Sequence, residues 1–407
     1  MEGDMVFLAA AFSACWALGV VPWVGVRAAA AAAVPGGLLA LGLGRVGWAS
    51  PLLGALEGAV QGGLAAARWA ASREALLACG GALLVLGCVL LSVAAVRAAA
   101  PGLELRDYSF KGKHVVVTGG SSGIGLAAAV RAAQLGARHV TLLARRMPEL
   151  ERAAAAVRAA APGCAVAVHS ADVTSDEALG AALEASRKEA GGEVQVLVCA
   201  SGAARTGYFL DCTIAELEQQ VALNYMGHAR AARLALPGMV ATGEGRVVFV
   251  ASALAVTAFC GYAAYTPSKW ALRGLADSLR NELHGTGVKV SVSYPPDTDT
   301  PGYAEEEKSK PKEAKWIAPP SLNAPADVAK GILDGVLRGD YHIGGPDPVQ
   351  NLLVSNMSGA TPKPLPLALE MALAPLLTLV QALFRMHMDN VIRVTRPYRA
   401  RRKHKAE

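Results

Sequence analysis

Tyr265 and Lys269, in the stretch YTPSK, stand four residues apart at the start of an expected helix and so share one face. A phenol beside an amine is either a half-buried ring next to a solvated ammonium or a pair that exchanges a proton. Two more residues bear on that choice. Ser252 lies thirteen residues before Tyr265 at the end of an expected strand, and Asn224, in LNYMG, sits one helix earlier. A second chemistry is written at 118–125, where TGGSSGIG places four glycines and two serines between the apolar HVVV and an Ala-rich helical stretch. Glycine permits backbone angles and close approaches that expose main-chain N–H groups. The turn is therefore a phosphate cradle at a helix N-terminus, or an ordinary strand-to-helix turn.

The elements that must hold these residues alternate. β-Branched runs at 114–118, 139–144, 165–170, 194–200, 246–252, 288–294 and 341–343 read as strands. Helical stretches at 123–135, 148–160, 175–190, 214–236, 262–283 and 325–337 lie between them. Parallel strands need crossover helices, so this order predicts an α/β fold, a doubly wound parallel sheet of Rossmann type. Runs such as VQVLV and VVFV fit strands buried on both sides. In such a fold the first strand-to-helix turn receives a dinucleotide pyrophosphate.

Composition adds appendages to that core. Residues 1–102 are dominated by Ala, Gly, Leu and Val and read as a membrane-anchoring region, 103–345 as the dinucleotide-binding domain, and 346–407 as a membrane-associated segment with a basic tail. Uncharged runs at 5–26 and 75–96 are each 22 residues long. That is enough to cross a hydrocarbon core of about 30 Å. Residues 5–26 could instead be a cleaved signal sequence. The seven cysteines form no CxxC pair, and no His/Cys spacing suits zinc, so neither a disulfide framework nor a metal site is expected. The net charge of +6 sits largely in RPYRARRKHKAE, and without basic-aromatic interleaving no nucleic-acid partner is expected.

Thr118, Gly119, Gly123 and Gly125 match TGxxxGxG, and with Asn224, Ser252, Tyr265 and Lys269 they resemble the short-chain dehydrogenase/reductase superfamily over roughly residues 111–345. The resemblance implies carbonyl reduction. Ser252 would hold the substrate oxygen, Tyr265 would donate the proton, Lys269 would lower the tyrosine pKa and hold the nicotinamide ribose, and Asn224 would hold a water joining Lys269 to solvent. Gly119, Ser121, Ser122, Gly123, Ile124 and Gly125 would cradle the pyrophosphate. Arg145 and Arg146 follow the second strand with no acid before Glu149, a pattern that suits the 2′-phosphate of NADPH rather than NAD. Asp172 and Val173, after the third strand, resemble adenine contacts, and Asp172 equally resembles a helix-start residue. One position departs: where the superfamily has NAG, this chain has Cys199 and Ala200 before Ser201, which puts local bracing of the sheet in doubt.

YPPDTDTPG at 294–302, together with the N-terminal anchor, NYMG and AYTPSK, is similar to the 3-ketodihydrosphingosine reductase family, which reduces 3-ketosphinganine with NADPH. The partners this implies are a long-chain lipid ketone and the membrane that holds it; a homo-oligomer is left open. A membrane-bound reductase of a steroid, retinoid or ketoacyl thioester, or a noncatalytic NADPH-binding membrane protein, also fits. The segment 300–322 reads as a mobile charged lid, with Trp316 and Ile317 facing lipid, or equally as a plain solvated loop. Residues 371–384 are uncharged for only 14 residues, too few to span, and are expected to lie at the membrane interface or to form a re-entrant element. The ending KHKAE resembles a dilysine retrieval signal, placing the protein in the endoplasmic reticulum membrane with its catalytic domain in the cytosol. A basic tail touching acidic lipid headgroups is the other reading.

Overall fold

Seven parallel strands form a single sheet in the order β3-β2-β1-β4-β5-β6-β7. They are β1 (His114–Thr118), β2 (His139–Ala144), β3 (Ala165–Ser170), β4 (Val196–Cys199), β5 (Gly245–Val250), β6 (Val288–Ser293) and β7 (His342–Ile343). The computed structural model describes residues 108–347, positions 350, 351, 354 and 357, and residues 367–395. Candidate spans 5–26 and 75–96 and the tail lie outside the described residues.

Helices α1 (Gly123–Gln134), α2 (Met147–Ala160) and α9 (Pro325–Arg338) share one apolar layer with the sheet, in which Val115, Val117, Val198 and Val248 meet Ala129, Leu150 and Ile332. Helices α3 (Asp176–Ala190), α5 (Gly227–Thr242) and α6 (Thr266–Glu282) share the other, in which Val116, Leu197 and Phe249 meet Leu183, Ala235 and Leu272. The period of two along each strand divides its side chains between these layers. The strand order reverses between β1 and β4, where Val117 pairs with Val198 and Thr118 with Cys199. A crevice for a ligand opens at the carboxyl ends of the strands at such a reversal.

Two expectations change. The helix expected at 214–236 is divided into α4 (Ile214–Val221), a π-helical turn (Ala222–Met226) and α5, which accommodates Pro237 and runs on to Gly243 at φ +68°. The wide turn carries Asn224 into the interior, where its amide is hydrogen-bonded on both sides. The segment read as a mobile lid is instead two helices, α7 (Pro301–Ser309) and α8 (Lys312–Ile317). Thr300 caps α7 by accepting from Tyr303 N at 3.0 Å, and a proline follows at the first helical position. Ile317 is buried while Trp316 is 53% exposed, so the two do not share the lipid-facing role expected of them.

Residues 371–384 belong to a 29-residue helix, α10 (Leu367–Thr395), whose later half carries Arg385, Asp389 and Arg393. Among the described residues no helix is long and apolar enough to cross a membrane. His387 on α10 meets the Trp316 carbonyl at 3.2 Å, joining this helix to the end of α8.

Candidate active site

The glycine-rich turn leaves β1 and enters α1 with backbone packed against backbone. A Cβ on Gly125 would stand 2.3 Å from Gly119 O, and one on Gly119, whose φ is +71°, would stand 2.7 Å from Ser201 N. Only glycine fits either place. Ser122, the N-cap of α1, makes no side-chain cap hydrogen bond, and no acid lies in the first turn. The first N–H groups of the helix and the positive end of its dipole are thus left for an anion, which suits a dinucleotide pyrophosphate. Gly123 lies under Thr300, whose Cγ2 would be 2.9 Å from an added Cβ, so α7 starts directly over this turn.

Tyr265 is the N-cap residue of α6 and Lys269 lies one turn on, with its Nζ 5.7 Å from the Tyr265 ring centroid. Ser252 follows β5, and its side chain hydrogen-bonds Tyr265 while accepting from Leu254 N at 3.2 Å. Helix and strand thereby bring the three side chains together. Lys269 is almost wholly buried, and burial lowers its pKa to about 7. The Tyr265 hydroxyl is pushed up from its ordinary value, first by burial and then by the charge of Glu306, against the hydrogen bond from Ser252. That reverses the direction expected from Lys269. The same desolvation that protects the phenol also disfavours the ammonium meant to ionise it.

Asn224 is fully buried. Its Oδ1 accepts from Ala203 N at 3.0 Å, and its Nδ2 donates to Ala203 O at 3.0 Å and to Gln220 Oε1 at 3.2 Å. A Cβ on Gly202 would stand 2.9 Å from Asn224 Oδ1 and 3.7 Å from Lys269 Nζ, so both residues face the same glycine. His228 pairs with the Ser201 carbonyl at 2.6 Å, and burial lowers its pKa to about 3, so it is neutral. Cys199 packs inside β4, and Ala200 N donates to Thr118 O at 3.1 Å. Thr118 and Ser201 hydroxyls meet at 3.2 Å, tying β1 to the loop after β4 where the family's asparagine is missing.

Arg145 and Arg146 lie exposed between β2 and α2. Arg146 reaches Glu149 at 3.4 Å with 71% of its side chain exposed. Asp172 Oδ1 accepts from Thr174 N at 2.9 Å and Thr174 Oγ1 at 2.7 Å, while Ser175 caps α3 by accepting from Ala178 N. The helix-start role thus belongs to Ser175, and Asp172 shapes the loop before it. Val173 is buried against Gly227, where a Cβ would stand 2.7 Å from Val173 Cγ2.

Residues that sequence reasoning passed over complete the site. Tyr262 and Ala314 pack with Leu254 and Tyr265 in a small apolar cluster, so α8 covers the tyrosine. Glu306, Lys310 and Asp297 lie in the same cover. The run YAEEEKSKPKEAK reads as a solvated charged face, and nothing local marks which of its charges turn inward.

Residues 113–311 match the family model described as short chain dehydrogenase. A 3-dehydrosphinganine reductase of Danio rerio is 37% identical over 251 residues, which are 61% of this chain and 75% of that protein. A 3-ketodihydrosphingosine reductase of Dictyostelium discoideum is 34% identical over 251 residues, 58% of this chain and 75% of that protein. Among solved structures, a short chain dehydrogenase/reductase from Burkholderia phymatum in complex with NAD superposes with a TM-score of 0.55 and 22% identity over 64% of this chain and 100% of its own. Levodione reductase superposes with a TM-score of 0.54 and 23% identity over 59% of this chain and 98% of its own. These two show the fold alone.

Proposed function

The chain belongs to the short-chain dehydrogenase family, and from that premise we propose that it reduces 3-ketosphinganine to sphinganine with NADPH. The observation that carries this reading is the convergence of Ser252, Tyr265 and Lys269 at the carboxyl end of β5, in a chain 37% identical to a 3-dehydrosphinganine reductase. The family uses a nicotinamide dinucleotide. Gly119, Ser121, Ser122, Gly123, Ile124 and Gly125 would hold its pyrophosphate, Asp172 and Val173 its adenine, and Lys269 its nicotinamide ribose. Arg145 and Arg146, exposed and with little to bind, would take a 2′-phosphate, which selects NADPH. When bound, NADPH supplies the hydride.

The remaining chemistry belongs to the chain. Ser252 hydrogen-bonds the ketone oxygen and orients it towards Tyr265, whose hydroxyl gives up the proton as the oxygen gains negative charge. A tyrosine held protonated by burial is a competent acid only when its proton is replaced. Lys269, with a pKa of about 7, is poised to supply that proton at neutral pH. Asn224 positions this pair by pinning the Ala203 loop. The test is an assay of the purified full chain with NADPH and, separately, 3-ketosphinganine and a steroid ketone. Oxidation of NADPH with the first is expected; oxidation only with the second overturns the reading.

A long-chain substrate stays in the bilayer, each buried CH₂ contributing about 0.8 kcal/mol. We place the enzyme on the endoplasmic reticulum membrane, anchored through the apolar runs at 5–26 and 75–96, with the catalytic domain in the cytosol. Exposed Leu379, Leu383, Met386 and Val394 on α10 and exposed Trp316 at the end of α8 support a second contact with lipid.

A further inference from the structure

The cover over Tyr265 holds more acid than base. Lys310, its side chain 1% exposed, stands 2.8 Å from Glu307 Oε1, 3.8 Å from Glu306 Oε1 and 3.9 Å from Asp297 Oδ2. Lys315 meets Glu307 Oε2 at 3.0 Å. A fourth carboxyl, Glu313, is fully buried on α8; its Oε2 accepts from the Tyr208 hydroxyl and its Oε1 has no hydrogen-bond partner. Three of these carboxyls thus share two lysines, and the fourth leaves one buried oxygen unmet. A buried acceptor without a donor is destabilising, so this arrangement favours a ligand that brings positive charge.

The carboxyl closest to the chemistry is Glu306. Tyr262 donates its hydroxyl to Glu306 Oε1, and the Tyr262 ring lies 6.3 Å from that of Tyr265. Among the charges acting on the Tyr265 hydroxyl, that of Glu306 is the largest. Its backbone is fixed as well, because buried Thr206 donates to Glu306 O at 3.0 Å. The unmet Glu313 oxygen belongs to the same place: Tyr208, which donates to Glu313, follows Gly207, which is bridged to Tyr262, and Ala314 packs against Tyr262 and Tyr265. Burial, and after it the neighbouring carboxylates, raises the pKa of both Asp297 and Glu306, opposed by Lys310 and by a tyrosine hydrogen bond to each.

3-Ketosphinganine carries an ammonium on the carbon next to its ketone. Resting on that substrate reading, we propose that Glu306 is the specificity-determining residue that binds this ammonium while Ser252 and Tyr265 hold the ketone oxygen, with Glu313 adding to the negative field. Lys310 lies 1.0 Å nearer to Glu307 than to Glu306 (2.8 against 3.8 Å), which leaves Glu306 with acceptor capacity for the substrate. A ketone of the same length without the amine brings no positive charge to this carboxyl and leaves it under-paired. Sites built around a buried polar group reject ligands that lack its partner far more strongly than apolar pockets reject a change of size.

The experiment compares kcat/KM of the full chain, with NADPH, for 3-ketosphinganine and for the same 1-hydroxy-3-ketone lacking the 2-amine. The wild type is expected to prefer the amine by roughly 10²-fold. Glu306→Gln should erase most of that ratio by raising KM for the amine, because any effect through Tyr265 is common to both ketones and cancels in the ratio, and Glu306→Asp should fall between. Equal turnover of both ketones by the wild type, an unchanged ratio in Glu306→Gln, or an equal loss on both ketones overturns the proposal. The wild-type ratio needs no variant, so a failure of Glu306→Gln to fold leaves the proposal exposed to refutation. If the wild type reduces neither ketone, the substrate reading itself fails and this inference falls with it.

Discussion

Lys269 Nζ donates to the Val250 carbonyl oxygen at 2.9 Å from a side chain that is almost wholly buried. The lysine therefore has a direction of pH dependence. In the unfolded chain it titrates near 10.4; in the folded chain burial lowers this to about 7. Between those values the unfolded chain holds a proton that the folded chain has lost, so this group's contribution to stability rises with pH. Below the folded value both states are protonated and the cost is constant. Lys269→Met should be more thermally stable than wild type at pH 7, with the advantage shrinking towards pH 9.5. An advantage that does not change with pH, measured by thermal unfolding, would refute the lowered pKa.

Gly125 and Gly119 touch backbone to backbone, so Gly125→Ala must push apart β1 and α1. NADPH affinity should fall by at least roughly 10²-fold in a fluorescence titration, and overpacking of this kind costs about 1–3 kcal/mol of stability. Gly163→Ala, where a Cβ meets nothing within 4 Å, is the control and should change neither. Normal NADPH binding by Gly125→Ala would remove the cradle.

Tyr265→Phe keeps the ring in its apolar cluster and removes only the hydroxyl. Turnover should fall by about 10²–10⁴-fold while NADPH affinity stays within about threefold. Lys269→Ala should damage both. Near-normal turnover by Tyr265→Phe would eliminate it as the proton donor.

Arg145 and Arg146 make few bonds of their own, so replacing both with Gln should leave folding unchanged. The KM for NADPH should rise by roughly 10- to 100-fold, and that for NADH by less than about threefold. Equal changes in both would remove the 2′-phosphate assignment.

An epitope tag after Glu407 should be cut by protease added to sealed microsomes without detergent. Protection would reverse the proposed topology. Lys403→Ser with Lys405→Ser should release the protein from the endoplasmic reticulum if KHKAE acts as a retrieval signal, and an unchanged location would dismiss it.

The order of strands and helices, the glycine turn and the Ser252, Tyr265 and Lys269 set were legible because each rests on a local rule. A period of two or 3.6, a glycine where no Cβ fits, and a four-residue spacing need no knowledge of distant chain. The divided helix at Asn224 was not legible, because its π turn depends on Ala203, more than 20 residues earlier, binding both ends of the amide. Nor was the acidic cover. Glu306 and Lys310 look like solvated helix charges until α7 is laid over Tyr262 and Tyr265. The sequence by itself determined which groups are present and in what order. Only the tertiary structure decided their charge states, because a pKa answers to desolvation and to neighbours brought from elsewhere in the chain, and at Tyr265 burial and Glu306 push the hydroxyl up.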